Sequence, residues 1–372
     1  MNIFVAGVST TKFGELWGVS PRTLAREAVF GALKDAHIDA KKIDALFVGN
    51  MLSGILGGQE HLGAFFTEEL GLSVPAFKIE GACASGGLAV HNAINSVLAN
   101  QYETVLVLGI EKMTDHKPED VATALMGAGS EEERSAGATF PGLYAIMARA
   151  HMKEYGTTQE QLASVAVKNH YHASLNPNAQ FRNPITIEQV MRSSKIADPL
   201  KLLDCSPISD GASALVITRK KARIEMKSSI VATDTLGLAQ RKSLTELKAT
   251  QEAAKKAYEQ AGISSKDIDI AEVHDCFTIA EILAMEDLGF YKKGKAAEVV
   301  GKTKELVINP SGGLKGCGHP VGATGIKQIV ELVEHLRGSA GERQVKNAKI
   351  GLAHNVGGSG ATAVVHILCK VR

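Results

Sequence analysis

At about 150 residues per domain, a chain of 372 residues has room for two or three domains and a core that needs no disulfide or metal staple. Apolar residues at 45% and charged residues at 22% match a folded soluble chain, and no apolar run approaches the ~18 residues of a membrane span; disordered and membrane-spanning classes are excluded. Forty-one Lys and Arg against 40 Asp and Glu leave +1, which excludes a general attraction to nucleic acid or anionic membranes.

The N-terminal MNIFVAGVSTTKFGE reads as a first strand rather than a signal peptide, and the final ILCKVR is no peroxisomal address. Five cysteines, at 83, 205, 276, 317 and 369, are scattered without a C-x-x-C pair, so a reducing cytoplasm is the expected location. Residues 25–52 align without gaps with 250–277 at an offset of 225, sharing Ala28/Ala253, Ala32/Ala257, Ala36/Ala261, Ile43/Ile268, Asp44/Asp269 and Val48/Val273. Each copy reads helix, turn, strand, and the strands end in polar loops, Gly49-Asn50 in one and His274-Asp275 in the other.

Further echoes follow. Gly-Gly-Leu at 86–88 opens a helix with Leu88, Ile94, Val97 and Leu98 on its apolar stripe, and Gly325-Ile326 opens another with Ile326, Ile329, Val330, Val333 and Leu336. The strand at 105–111 answers 349–355, and 211–218 answers 360–367, each an apolar run suited to a sheet covered on both faces. The pattern predicts two similar α/β halves, 1–227 and 228–372, whose sheet-terminal loops meet at a shared crevice. Residues 112 to about 200 of the first half form an insertion of polar helices and loops, read as a lid or substrate-binding subdomain.

Thirty-seven glycines are about 10% of the chain, above the ~7% norm, and cluster at 81–87, 311–325 and 357–360. GACASGG at 81–87 puts Cys83 at the start of an amphipathic helix, where free N–H groups and the positive dipole end are expected to stabilise a thiolate. The competing reading is a small thiol packed among glycines. His319, in KGCGHPVGATG at 315–325, lies in a turn whose glycines and following proline fix its direction. His274 in HDCF and His354 in HNVGGSG each end a predicted strand, where open α/β sheets place ligands. His170 and His172 read as a solvated helix end, Cys205 and Cys369 as core, and Cys317 as turn packing. The 311–325 glycines lack G-x-G-x-x-G spacing, so no nicotinamide cofactor is expected.

Cys83 in GACASGG, HDCF at 274–277, NPSGG…GHPVGATG at 309–325, HNVGGSG at 354–360 and ADPLKLLDCSPISDGASALVI at 197–217 together resemble thiolases of the sterol-carrier-protein type. The likeness spans the whole chain. It implies a five-layered αβαβα fold of two similar halves with an inserted loop domain, dimerisation, and acyl-coenzyme A substrates. Coenzyme A is then substrate and product, with no cofactor and no metal. By the same resemblance, Cys83 takes up the acyl group and His319 activates it and helps bind the thioester oxygen. His274 stands where most thiolases carry an Asn that holds an oxyanion-hole water. The usual C-x-G loop reads His354-Asn355-Val356 here, so its acid/base thiol is missing. Cys276 of HDCF is assigned that proton transfer, with His354 as competitor. A second oxyanion hole is assigned to backbone N–H groups at Cys83 and Gly357.

The expected activity is condensation of two acetyl-coenzyme A molecules to acetoacetyl-coenzyme A and coenzyme A through an acetyl–Cys83 intermediate. Cleavage of longer 3-ketoacyl thioesters uses the same groups and is the alternative in the same class. A retro-aldol lyase is disfavoured because it needs no acyl-accepting Cys. A coenzyme A-binding scaffold, in complex with a small OB-fold protein and hydroxymethylglutaryl-coenzyme A synthase, is the alternative outside enzymology.

Overall fold

The structure is a computed structural model that describes residues 1–302 and 306–371. The first half carries β1 (Phe4–Thr10), α1 (Pro21–Ala36), β2 (Ala45–Gly49), α2 (Ser53–Gly57), α3 (Leu62–Leu70), β3 (Ala76–Ile79), α4 (Ser85–Leu98) and β4 (Thr104–Glu111). The insertion holds α5 (Pro118–Leu125), α6 (Glu131–Ser135), α7 (Phe140–Tyr155), α8 (Gln159–Ser174), α9 (Ile187–Arg192) and a hairpin of β5 (Lys195–Ala197) and β6 (Leu200–Lys201). The chain then re-enters the sheet as β7 (Gly211–Thr218). The second half runs β8 (Ile224–Thr233), α10 (Lys248–Ala261), β9 (Ile270–Glu272), α11 (Thr278–Asp287), α12 (Ala296–Val299), β10 (Val307–Ile308), α13 (Gly313–Cys317), α14 (Val321–Arg337), β11 (Ile350–Gly357) and β12 (Thr362–Lys370).

One ten-stranded sheet has the order β10-β9-β11-β12-β8-β1-β7-β4-β2-β3. In the first half β2 pairs parallel with β3 and β4, while β7 pairs antiparallel with β4 and β1. The second half repeats this: β9 is parallel to β10 and β11, and β12 is antiparallel to β11 and β8. The halves join where β1 meets β8 antiparallel through Phe4↔Glu225 and Val5↔Ile224. The boundary expected at 227/228 falls inside β8, whose pairing makes it the first strand of the second half.

The helices are dictated locally. Ser20 caps α1 by accepting the Thr23 N–H at 3.1 Å, Pro21 supplies a helical φ at the first position, and the alanines at spacing four turn inward. Its counterpart α10 buries Ala249, Ala253, Ala254 and Ala257 and stops at Gly262, φ 70°. Alternation along β2 then sorts the layers: Leu46 and Val48 pack outward against α1 and α3, whereas Ala45 and Phe47 pack inward against α4 and α14. In the second half Val365 and Ile367 face α10 and α11, and Leu368 faces the central helices. The order is therefore helix, sheet, helix, sheet, helix: five layers, with α4 and α14 buried in the middle.

That middle layer depends on glycine. A Cβ on Gly86 would sit 2.7 Å from the Gly322 carbonyl oxygen, and one on Gly325 would sit 2.4 Å from the Gly87 nitrogen. The two helix starts singled out in the sequence thus lie against each other. On α4 the buried face is Ala89, Val90, Ala93, Ile94 and Val97, with Leu88 and Leu98 only half-buried.

The insertion occupies 112–210, where the second half closes the equivalent β11–β12 pair with a hairpin. Its helices are not polar throughout. On α7 Leu143, Tyr144 and Met147, and on α8 Leu162 and Val165, join the same core as α11. His170 and His172 are likewise not a solvated helix end. His170 stacks on Phe181 at 5.5 Å with Nδ1 3.3 Å from Asn183 O, and His172 Nδ1 lies 2.9 Å from Asn309 O.

Candidate active site

Cys83 sits in a 3-10 turn, Ala82–Ala84, between β3 and α4. Ala82 holds φ 53°, a left-handed conformation unusual for a residue with a Cβ, and this sharpens the turn that presents the thiol. Ser85 fixes the turn by accepting the Gly81 N–H at 3.0 Å and donating to Ala82 O at 2.6 Å. The expectation of a lowered pKa is corrected here. Burial pushes the Cys83 thiol up to about 12, and Glu111 and Glu80 add to it, against the N–H groups of Gly358 and of Cys83 itself. The resting group is a thiol and needs a base.

His319 is placed to accept a proton. Its backbone N–H donates to Ser209 Oγ at 2.9 Å, and Pro320 starts α14 directly behind it. Thr324 Oγ1 donates to Pro320 O at 3.0 Å and lies 2.7 Å from His319 Nδ1, so it accepts the Nδ1 proton. Nε2 is left with its lone pair. Burial pushes the imidazole down to about 3, which keeps it neutral.

His274 follows β9 and has the opposite arrangement. Asn355 Nδ2 donates to Cys83 O at 3.0 Å and to His274 Nδ1 at 3.2 Å, while Asn355 Oδ1 accepts the Gly87 N–H at 3.1 Å. Those three contacts set the amide's orientation and place the His274 proton on Nε2. That nitrogen is buried and has no partner, a free donor. Burial, with His319 and His354 nearby, holds His274 well below the usual imidazole range.

The Cys83 sulfur and a ring nitrogen from each of His274 and His319 lie within 4.8 Å of one another. The two rings meet edge to face, 5.1 Å between centroids. Such a donor set resembles a soft-metal site, but with His274 Nε2 protonated only the sulfur and His319 have lone pairs for a cation. The arrangement suits an anionic oxygen better.

Cys276 is buried in the loop between β9 and α11, and its carbonyl accepts the Ser206 N–H at 2.9 Å. Burial raises its thiol well above the ordinary range, opposed by a hydrogen bond from Tyr144. Its neighbour Asp275 accepts from Leu314 N at 2.6 Å, Lys315 N at 3.2 Å and Asn169 Nδ2 at 2.6 Å, tying this loop to the turn that leads to His319. A cavity of about 200 Å³ brings Cys83, Cys276, His319, Tyr144 and Phe277 together. Cys205, expected in the core, lines the same cavity, whereas Cys317 packs beneath its turn as expected.

His354 is placed elsewhere. Strand alternation sends Asn355 toward Cys83 and turns His354 away, so its Nε2 lies 2.9 Å from Thr250 Oγ1 and it does not line the cavity. Gly357 packs tightly, its missing Cβ 2.5 Å from Gly81 O, and the N–H aimed at the Cys83 sulfur comes from Gly358 instead. Asn355, Thr324, Gly358 and Tyr144 belong to the candidate site without having been marked by the sequence. The first three lie inside the quoted motifs; Tyr144 has no motif to mark it.

Comparisons with known proteins bear on the fold and the family. The family model described as "Thiolase, N-terminal domain" matches residues 3–221, and "Thiolase C-terminal domain-like" matches 231–370. An acetyl-CoA acetyltransferase of Methanothermobacter thermautotrophicus is 48% identical, covering 99% of this chain and all of that protein. Human sterol carrier protein 2 is 34% identical over 97% of this chain and 71% of its own length. A solved structure described as "Ltp2-ChsH2(DUF35) aldolase" superposes with a TM-score of 0.84 at 25% identity, covering 100% of this chain and 98% of that one.

Proposed function

This chain belongs to the thiolase family, and from that premise we propose that it is an acyl-coenzyme A C-acyltransferase condensing two acetyl-coenzyme A molecules to acetoacetyl-coenzyme A and coenzyme A. The observation that carries the reading is the convergence of Cys83, His319 and Cys276 on one small apolar cavity, with a ring nitrogen of His274 within 4.8 Å of the Cys83 sulfur. At about 200 Å³ it lies below the ~300 Å³ lower bound of pockets for drug-sized ligands, which favours a two- to four-carbon acyl group over a long chain. The 48% identity to an acetyl-CoA acetyltransferase supports the same substrate.

In the acyl-transfer half, His319 Nε2 takes the Cys83 proton as the sulfur attacks the thioester carbon. The resulting oxyanion is met by the N–H groups of Cys83 and Gly358, and collapse expels coenzyme A thiolate, to which His319 returns the proton. In the second half, His319 Nε2, neutral again, takes the Cys276 thiol proton, and the Cys276 thiolate removes an α-proton from a second acetyl-coenzyme A. The enolate oxygen is held by the free Nε2–H of His274, with His319 beside it; the enolate carbon attacks acetyl–Cys83, the C–S bond breaks, and the released Cys83 thiolate takes the proton from His319. Coenzyme A is substrate and product, and no step needs a resident cofactor or metal.

A dimer is the assembly we assign. A small partner protein, of OB-fold type and shared with hydroxymethylglutaryl-coenzyme A synthase, is a further part of the reading; the DUF35 component that accompanies a structural relative supports it. Among the described residues no helix is long and apolar enough to cross a membrane, which fits the cytoplasmic location expected from cysteine usage.

The test is thiolysis of acetoacetyl-coenzyme A and of a longer 3-ketoacyl thioester by wild type and Cys83→Ala. Activity on the four-carbon substrate that disappears without Cys83 supports the reading. Preference for the longer thioester moves the assignment to degradation, and activity retained by Cys83→Ala refutes the acyl-cysteine route.

A further inference from the structure

Tyr144 has no part in the steps above, yet it stands between the two cysteines. It enters from α7 in the insertion and is fully buried, with its ring 4.6 Å from that of Phe277. Its hydroxyl donates to Gly358 O at 3.2 Å and also reaches the Cys276 sulfur. The N–H of the same Gly358 points at the Cys83 sulfur. One phenol thus touches the proposed base and the residue that supports the nucleophile.

We propose that Tyr144 is the hydrogen-bond partner that makes Cys276 competent as a base, its hydroxyl donating to Gly358 O while Cys276 is a thiol and turning to the sulfur when Cys276 is a thiolate. This rests on the reading that Cys276 removes the α-proton. In that step the Cα–H bond breaks, an S–H bond forms on Cys276, and the electron pair passes to the thioester oxygen. Tyr144 keeps its own proton throughout and swings back to Gly358.

The setting demands such a donor. Cys276 faces the Cys83 sulfur and the Asp275 carboxylate, both of which disfavour a second anion. Cys205 stands in the wall of the same cavity without a positive charge to offer. The cation whose charge acts on Tyr144 is Arg241, whose Nη1 and Nη2 donate to Ser359 O at 2.6 Å and Ser359 Oγ at 3.1 Å. Two donors reach the Cys276 sulfur, the Phe277 backbone N–H and the Tyr144 phenol, and of these the phenol is the side chain that can turn toward the thiolate. A hydrogen bond to an ionised sulfur is worth more than one to a carbonyl, so the hydroxyl follows the charge.

Two exchange reactions separate this role from mere support of Gly358. Exchange of acetyl between acetyl-coenzyme A and labelled coenzyme A uses Cys83 and His319, whereas exchange of the acetyl methyl protons into D2O uses the base. In Tyr144→Phe, methyl-proton exchange falls about tenfold at neutral pH and its ascending limb moves up by about one pH unit, while acyl exchange changes much less. Placing 3,5-difluorotyrosine at 144, a stronger donor, moves the limb down. If Tyr144→Phe instead lowers both exchanges equally with the limb unmoved, the proposal is overturned and the phenol only braces Gly358. Methyl-proton exchange surviving in Cys276→Ala would remove the underlying assignment whatever Tyr144→Phe does.

Discussion

His274 and His319 meet edge to face, 5.1 Å between ring centroids, and hold their protons on opposite nitrogens. Asn355 makes one a donor at Nε2, and Thr324 makes the other an acceptor at Nε2. A site that must first deprotonate a thiol and later hold an enolate oxygen needs one of each. Neutral imidazoles are required for the pair to keep these tautomers, and burial provides them.

His319→Ala removes the acceptor that frees the Cys83 thiol and is expected to lower acyl exchange and condensation together by about 10²–10³-fold. Thr324→Val tests the tautomer alone. Without its acceptor, Nδ1–H is no longer favoured over Nε2–H, and kcat falls while KM for acetyl-coenzyme A changes little. Retained acyl exchange in His319→Ala would show that another group takes the proton.

Asn355→Ala leaves the Cys83 carbonyl, the Gly87 N–H and His274 Nδ1 without their partner. Unpaired buried polar groups cost about 1–3 kcal/mol each where no water replaces the side chain, so the urea midpoint drops as well. The sharper expectation is kinetic: methyl-proton exchange loses the enolate donor and falls more than acyl exchange. An equal fall in both would assign Asn355 to the architecture of Cys83 rather than to His274.

How far the sequence carried follows from the range of each interaction. The repeat at offset 225 survives as α1–β2 and α10–β9 because alanine spacing and strand alternation are local signals, readable one element at a time. Cys83 and His319 were legible because each needs a glycine-rich turn, which leaves a pattern in the chain, and His274 because its polar HDCF ends a predicted strand. The thiol's pKa was not legible: the helix start is local, whereas the burial that outweighs it is assembled from the insertion and both halves. Tyr144 was hidden for the same reason, since Gly358 lies 214 residues away from it. His354 and Asn355 show the limit of a motif, because only the pleat of β11 decides which of two adjacent polar residues faces the cavity.

The middle layer gives a packing prediction. In Gly325→Ala the new Cβ would lie 2.2 Å from Asn355 Oδ1 and 2.4 Å from the Gly87 nitrogen, neither of which can yield without breaking the Asn355 contacts. Overpacking of this kind costs about 1–3 kcal/mol. Both the unfolding midpoint and methyl-proton exchange should fall. A variant with native stability and native exchange would mean that α4 and α14 can separate freely, contrary to their burial.

Acid should unfold this protein well before its carboxylates titrate in the ordinary range. Burial pushes His319, His354 and His366 down to about 3 and His170, His172 and His335 down to about 4. In the unfolded chain each titrates near 6.5, so below that pH the unfolded state holds protons the folded state lacks. The opposite sign comes from Glu111, Asp275 and Glu334, which burial raises to about 7; the folded state holds their protons down to the unfolded value near 4. Burial also lowers His274 and His91 and raises Asp204 and Asp287, so eight groups act one way and five the other, leaving a net uptake of roughly two to three protons on unfolding between about pH 4.5 and 6. Stability is therefore greatest near neutrality and declines steeply toward pH 5. Urea unfolding at half-unit intervals from pH 7 to 5 reads that slope directly. His366→Gln, which keeps a donor for the Gly87 carbonyl, should reduce the slope by about one proton. A flat profile over this range would mean that the buried imidazoles open to water and take up protons without unfolding.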